Sequence, residues 1–194
     1  MRHWLLLVLS ILSLVLVGCE KPTPAGAYRD ANLAFHYPEG WAVSFQNVGP
    51  LATDRVVFAR GPDNAVLVLM CVPTESAIPL RDMAVNFAKS RDANVEERGK
   101  IGSHSFLDAG PSSLEASREQ VGGTEVDGLL QKFTLKVLGI EVAFEGHFAR
   151  LSNRQRTVYI VTQNSLRDRA RARPSFAVIL GSFRLAPADG ASGG

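Results

Sequence analysis

Residues 140–151 read IEVAFEGHFARL, and their spacing decides the fold class. Ile140, Val142, Phe144 and Phe148 fall on one side of an extended chain, with Glu141, Glu145 and His147 on the other. A period of two marks a strand with one face on a core and the other in water. The pattern predicts a half-solvated antiparallel sheet. Working outward, residues 128–137 (GLLQKFTLKV) and 156–163 (RTVYIVTQ) carry strand patterns on either side. Leu138-Gly139 and Ser152-Asn153-Arg154 separate them as hairpin turns.

Nearer the start of the chain, residues 32–38 (NLAFHYP) and 41–46 (WAVSFQ) flank a turn at Glu39-Gly40. Residues 54–60 (DRVVFAR) and 65–72 (AVLVLMCV) flank the turn cluster Gly61-Pro62-Asp63-Asn64. The almost wholly apolar 65–72 segment belongs in the centre of a sheet, covered on both faces. Residues 79–92 (PLRDMAVNFAKSRD) predict a helix: Pro79 suits the first turn, and Leu80, Met83 and Phe87 recur on one side. Phe176, Ile179, Leu180 and Phe183 form a second helical stripe, which Pro174 starts or kinks. Strands, helix, strands and helix give the α+β class, a central antiparallel β-sheet with helices packed on its faces. The polar region 92–123 aligns with no strand pattern except at 113–121 (SLEASREQV), which adds one more strand. No internal repeat is present.

The composition fits a globular domain. The chain has 194 residues, of which 46% are hydrophobic and 21% charged. Its formal charge is +2, from 21 basic and 19 acidic side chains. That near balance excludes general nucleic-acid binding, which needs a concentrated basic face. Cys71 lies among apolar residues and reads as a small buried hydrophobe.

Arg2 and His3 precede an apolar run from Trp4 to Val17 that is too short to span a bilayer comfortably. A positive start, an apolar middle and a small residue before the break form a secretory leader. The run ends in LVGC (16–19), which resembles the lipobox of bacterial lipoproteins. The resemblance implies acylation of Cys19 with cleavage before it, and so a membrane partner reached through that lipid. Glu20 stands where an Asp implies inner-membrane retention in enteric-type bacteria. The resemblance therefore points to the outer membrane, facing the periplasm. With Cys19 acylated, Cys71 has no partner for a disulfide. The expected organisation is a leader over 1–18, a flexible tether over 19–28 rich in Pro and Gly, a domain over 29–186, and a disordered tail over 187–194.

The segment LAFHYPEGWAVSF (33–45) resembles the opening of PsbP-like domains, and VILGSFRL (178–185) resembles their closing helix. The bacterial lipoprotein DcrB and its relatives belong to that group. The resemblance implies a PsbP-like sandwich over most of the chain, and an accessory or binding role without catalysis.

Few residues carry the spacing that catalysis or metal binding needs. His36, His104 and His147 lack metal-ligand spacing, and no cofactor motif appears. His147 is placed to pair with Glu145 across one pleat step, on a solvated face. Ser103-His104 in GSHSF has no orienting acid nearby in sequence, and it is not a nucleophile elbow. No catalytic or metal-binding residue is assigned. Trp41 is expected to plug the core, with a surface anchor for a partner as the other reading. Arg167, Arg169, Arg171 and Arg173 in LRDRARAR form the one strongly charged stretch, a candidate surface for an acidic envelope protein or anionic lipid. The expected function is a lipid-anchored, non-enzymatic binding or accessory module of the cell envelope. The alternative is an immunity or inhibitor lipoprotein that blocks a delivered toxin.

Overall fold

The structure, a computed structural model, describes residues 24–48, 54–98, 100–101, 104–105 and 107–187. Cys19, the first part of the expected tether, Ser103 and residues 188–194 lie outside the described residues. The described strands are β1 (Pro24–Arg29), β2 (Leu33–Pro38), β3 (Ala42–Val48), β4 (Asp54–Arg60), β5 (Val66–Pro73), β6 (Lys100–Ile101), β7 (His104–Ser105), β8 (Leu107–Val121), β9 (Thr124–Val137), β10 (Ile140–Ser152), β11 (Arg156–Ser165) and β12 (Arg184–Leu185). The helices are α1 (Leu80–Arg98) and α2 (Arg169–Ser182). Seven strands form one antiparallel sheet in the order β3-β4-β5-β11-β10-β9-β8. A smaller sheet has the order β1-β2-β12, and β6 pairs with β7.

The central position of β5 follows from its composition. Leu67, Leu69 and Cys71 point to one face and Val68 to the other, and all are buried. Burying each such leucine contributes about 2 kcal/mol, which an edge position would forfeit. On the first face these side chains, with Val57, Val158 and Ile160, meet Ala172, Phe176 and Ile179 of α2 and Leu33 and Phe35 of the small sheet. On the second face Val68, Tyr159, Val161, Leu129 and Phe148 meet Met83 and Ala84 of α1. The result is three layers: α1, the large sheet, and a third layer made of α2 beside the small sheet. This is the α+β arrangement expected from the sequence.

Four local differences have physical causes. The small sheet begins at Pro24, inside the stretch expected as tether, because Tyr28 stacks on Phe35 with ring centroids 5.4 Å apart. Glu39-Gly40 does not close a hairpin; it carries the chain from one sheet to the other, since β2 and β3 pair with different partners. The polar region after residue 92 splits into the end of α1 and the 15-residue β8, an edge strand. Pro174 lies inside α2, whose first residue is Arg169.

Candidate functional site

The face of β10 expected to be solvated is covered. Glu145 is 3% exposed, because the start of α2 lies over it and brings Arg169 against its carboxylate. Under that cover is a cleft of about 460 Å³. Its polar floor includes Glu119, Glu145, His147 and Asn164, and its apolar wall is Phe176, Ala177 and Leu180.

Sheet register explains how these groups meet. Glu145 lies opposite Asn164, and His147 opposite Thr162, on β10 and β11. Glu119 comes from β8, two strands away from β10. Adjacent strands are about 4.8 Å apart, so its side chain must cross β9 to reach His147. The crossing is open because residue 128 is glycine: a Cβ there would stand 2.6 Å from Glu119 Cγ and 2.9 Å from Ser117 Oγ. Glu119 Oε1 then sits 2.9 Å from His147 Nδ1 and accepts a 2.8 Å hydrogen bond from the Ser117 hydroxyl. His147 Nε2 is 3.9 Å from Glu145 Oε1. The same Glu145 oxygen lies 3.2 Å from Arg169 Nε, and Asn164 Nδ2 donates to it at 3.4 Å.

Charge follows geometry. The hydrogen bond to Glu119, aided by the Glu119 and Glu145 charges, lifts the His147 pKa above its ordinary value. Burial and the Arg169 charge oppose it without prevailing. A protonated His147 donates from both ring nitrogens. It then bridges two carboxylates, and Arg169 balances the second. Arg173 also lines the cleft and is exposed.

The arginine run divides. Arg169 is drawn to Glu145, while Arg171 pairs with Asp63 at 3.1 Å and with Asp168. Arg167 and Arg173 are left facing solvent. Two of the four candidate partner-binding cations are thus occupied within the domain.

Trp41 plugs the core, as expected, and its other reading as a surface anchor for a partner is corrected. It is 7% exposed and packs edge-on to Phe176, with centroids 5.7 Å apart. Gly61 allows this, since a Cβ there would fall 2.4 Å from the indole. Cys71 is buried, and burial pushes its thiol pKa up, away from reactivity. His36 is exposed on β2, its backbone N–H donating to Ser182 Oγ at 2.9 Å. His147 was visible in the sequence, and Glu145 was named beside it. The nearer partner, Glu119, was missed; the signal available was Gly128 in an otherwise bulky strand.

A larger hollow of about 840 Å³ lies along the small sheet, lined by Ala27, Ala34 and Leu185 among others. The acid on its wall, Asp30, is already held by the Asn32 and Leu33 N–H groups and by Arg55. The cleft under α2, where charged groups converge, is therefore the better candidate.

Among solved structures, the fold is similar to cyanobacterial PsbP (CyanoP) from Synechocystis sp. PCC 6803. The TM-score is 0.50 at 16% identity, over 87% of this chain and 96% of that one. LpqN of Mycobacterium tuberculosis, described as involved in cell envelope biogenesis, gives a TM-score of 0.43 at 13% identity, over 85% of this chain and 90% of that one. No protein-family model matches the chain, and no curated protein matches it. The likeness to CyanoP shows that the fold is PsbP-like.

Proposed function

We propose that the protein is a lipid-anchored, non-catalytic binding module of the cell envelope. It is attached through Cys19, faces the periplasm from the outer membrane, and takes a ligand or partner segment in the cleft beneath α2. The observation that carries the binding role is the cleft itself: an apolar helix wall over a floor of paired charges held by three strands and α2. Its pairing favours binding over catalysis. A general base needs a free lone pair aimed at substrate, whereas both nitrogens of His147 are turned to carboxylates. The LVGC stretch supports the anchor, and acyl chains at one cysteine hold a protein at a membrane far better than one chain alone.

The test places a photo-crosslinking side chain at position 173 of the full chain in its own membrane. Position 60, on the exposed end of β4, serves as the control. The expected result is one dominant adduct from position 173 that is lost with Glu119→Gln. Adducts that are indifferent to Glu119, or equal from both positions, would sink the cleft as binding site. Acylation of Cys19 is read independently from the mass of the N-terminal peptide.

A further inference from the structure

The cleft beneath α2 is asymmetric in charge and along its length. Its lining carries Glu119 and Glu145 against Arg118, Arg169 and Arg173, so the balance is positive even with His147 neutral. Most of those charges are already answered. His147 faces both glutamates, Arg169 holds Glu145, and Arg118 pairs with Asp127 at 2.9 Å. Among the described residues, Arg173 is the one arginine of the lining with no acidic partner. Its guanidinium is left for a ligand, and the planar fork matches a carboxylate.

The lining side of α2 advances in steps of four residues, since Arg169, Arg173, Ala177 and Gly181 all border the cleft. Residues four apart share a helix face and lie about 6 Å apart along the axis. The cationic end is therefore followed by the apolar wall of Phe176, Ala177 and Leu180, and then by open space. A Cβ on Gly181, or on Gly123, which also lines the cleft, would meet no atom within 4 Å.

Two chemistries offer an anion followed by an apolar body: an acyl chain with an acidic head, and a peptide segment with an acidic residue. The floor decides between them. Beside the charged pairs it presents Ser117, Gln120, Thr162 and Asn164. An acyl chain laid on those groups would strip their water and return no hydrogen bond. An extended peptide brings its own N–H and C=O groups to answer them, while every second side chain points the same way. Its two-residue step of about 6.6 Å is close to the four-residue step of the helix. An acidic side chain on Arg173 thus sets the side chain two positions away beside Ala177, and the one four positions away in the open space at Gly181.

We infer, on the reading of this cleft as the binding site, that its occupant is an extended segment of a partner protein. The segment carries an acidic residue seated on Arg173, with apolar residues two and four positions away from it.

Random heptapeptides displayed on phage are panned against the purified full chain and against its Arg173→Glu and Ala177→Trp variants. Both positions are exposed, so both variants keep the fold, which thermal melts verify. The expected selection from the parent chain is an acidic residue with apolar residues two and four positions away. Arg173→Glu should select a basic residue in place of the acidic one. The best peptide should lose about tenfold or more in affinity with Arg173→Glu, the weight of one charge-assisted contact. Ala177→Trp, which fills the apolar wall, should cost as much. The crosslinker at position 173 replaces that arginine, but irreversible capture tolerates a complex weakened to this degree. Failure to enrich any such pattern overturns the inference, and so does the same pattern with either charge at 173. The variants also separate this inference from the reading it rests on. Binding lost with Ala177→Trp but unchanged by Arg173→Glu leaves the cleft as a binding site and rejects the acidic segment. Binding indifferent to Ala177→Trp rejects the cleft, and the segment with it.

Discussion

The two faces of the seven-stranded sheet meet the same burial requirement by different means. The face under α1 is closed by side chains such as Phe148, Val161 and Met83, with Phe87 edge-on to Phe148 at 5.8 Å between centroids. Even its polar residue Gln131 is satisfied, accepting from Arg91, whose guanidinium lies 3.7 Å from the Phe133 ring centroid. The face under α2 is apolar only where it meets Phe176, Ile179 and the small sheet. Along another side of the same helix the sheet presents Glu119, His147 and Glu145. One face is built to be filled. The other is filled in part and left chemically addressable where the cleft runs. A sheet can bear such a half-polar face only if each charge finds a partner, because an unpaired buried charge costs several kcal/mol.

The largest effects lie in the two cores. Phe148→Ala and Trp41→Ala, one on each face, should each cost about 3–5 kcal/mol in denaturant melts. A Trp41 loss below about 1 kcal/mol would mean that the α2 face is not a true core at that end. Next comes Gly128→Ala. The new methyl would meet Glu119 Cγ and the Phe148 carbonyl oxygen, 2.9 Å away. It should cost about 1–3 kcal/mol and bring the His147 pKa down toward its ordinary value, as followed by NMR titration. An unmoved His147 titration would detach Glu119 from the site.

The pH dependence of the His147 bridge is the next largest effect. Because the folded state raises the His147 pKa from 6.5, its stabilisation is fully present below that value. It is lost as pH rises through the higher folded-state pKa. Wild type should therefore exceed His147→Gln in stability at about pH 5.5, by roughly 1 kcal/mol, and lose that margin at about pH 8.5. A margin that grows with pH would reverse the assignment. The smallest effect separates two arginines of one helix. Arg169→Ala should cost about 0.5–1 kcal/mol, reduced by screening because Arg169 is 57% exposed, whereas Arg173→Ala should leave the melting curve in place. Equal effects would show that Arg169 does nothing specific for Glu145.

Much of the architecture was legible because it rests on local period. Strands β9, β10 and β11 and their turns were readable from alternation and from Leu138-Gly139 and Ser152-Asn153. Edge strand β8 was less so. Its side chains are mostly exposed, and its register slips between Ala109 and Ser112 beside Pro111, so no apolar rhythm announces it. The site was half legible for a different reason. Alternation reports which residues share a face, and it correctly put Glu145 with His147. It cannot report what covers that face, so polar residues beneath α2 looked like residues in water. Glu119 is 28 positions from His147, and only the pairing of β8 with β9 and β9 with β10 brings it within range.

The entry of the chain through β1 has a mechanical consequence. Strand β1 runs antiparallel to β2 from Pro24, and inter-strand hydrogen bonds in such a pair lie across the strand direction. Tension applied to the N-terminal side of Pro24 along the strand strains those bonds together, in shear, instead of peeling them one by one. Any pull on the N-terminal side of Pro24 would thus be resisted by the β1–β2 ladder as a whole.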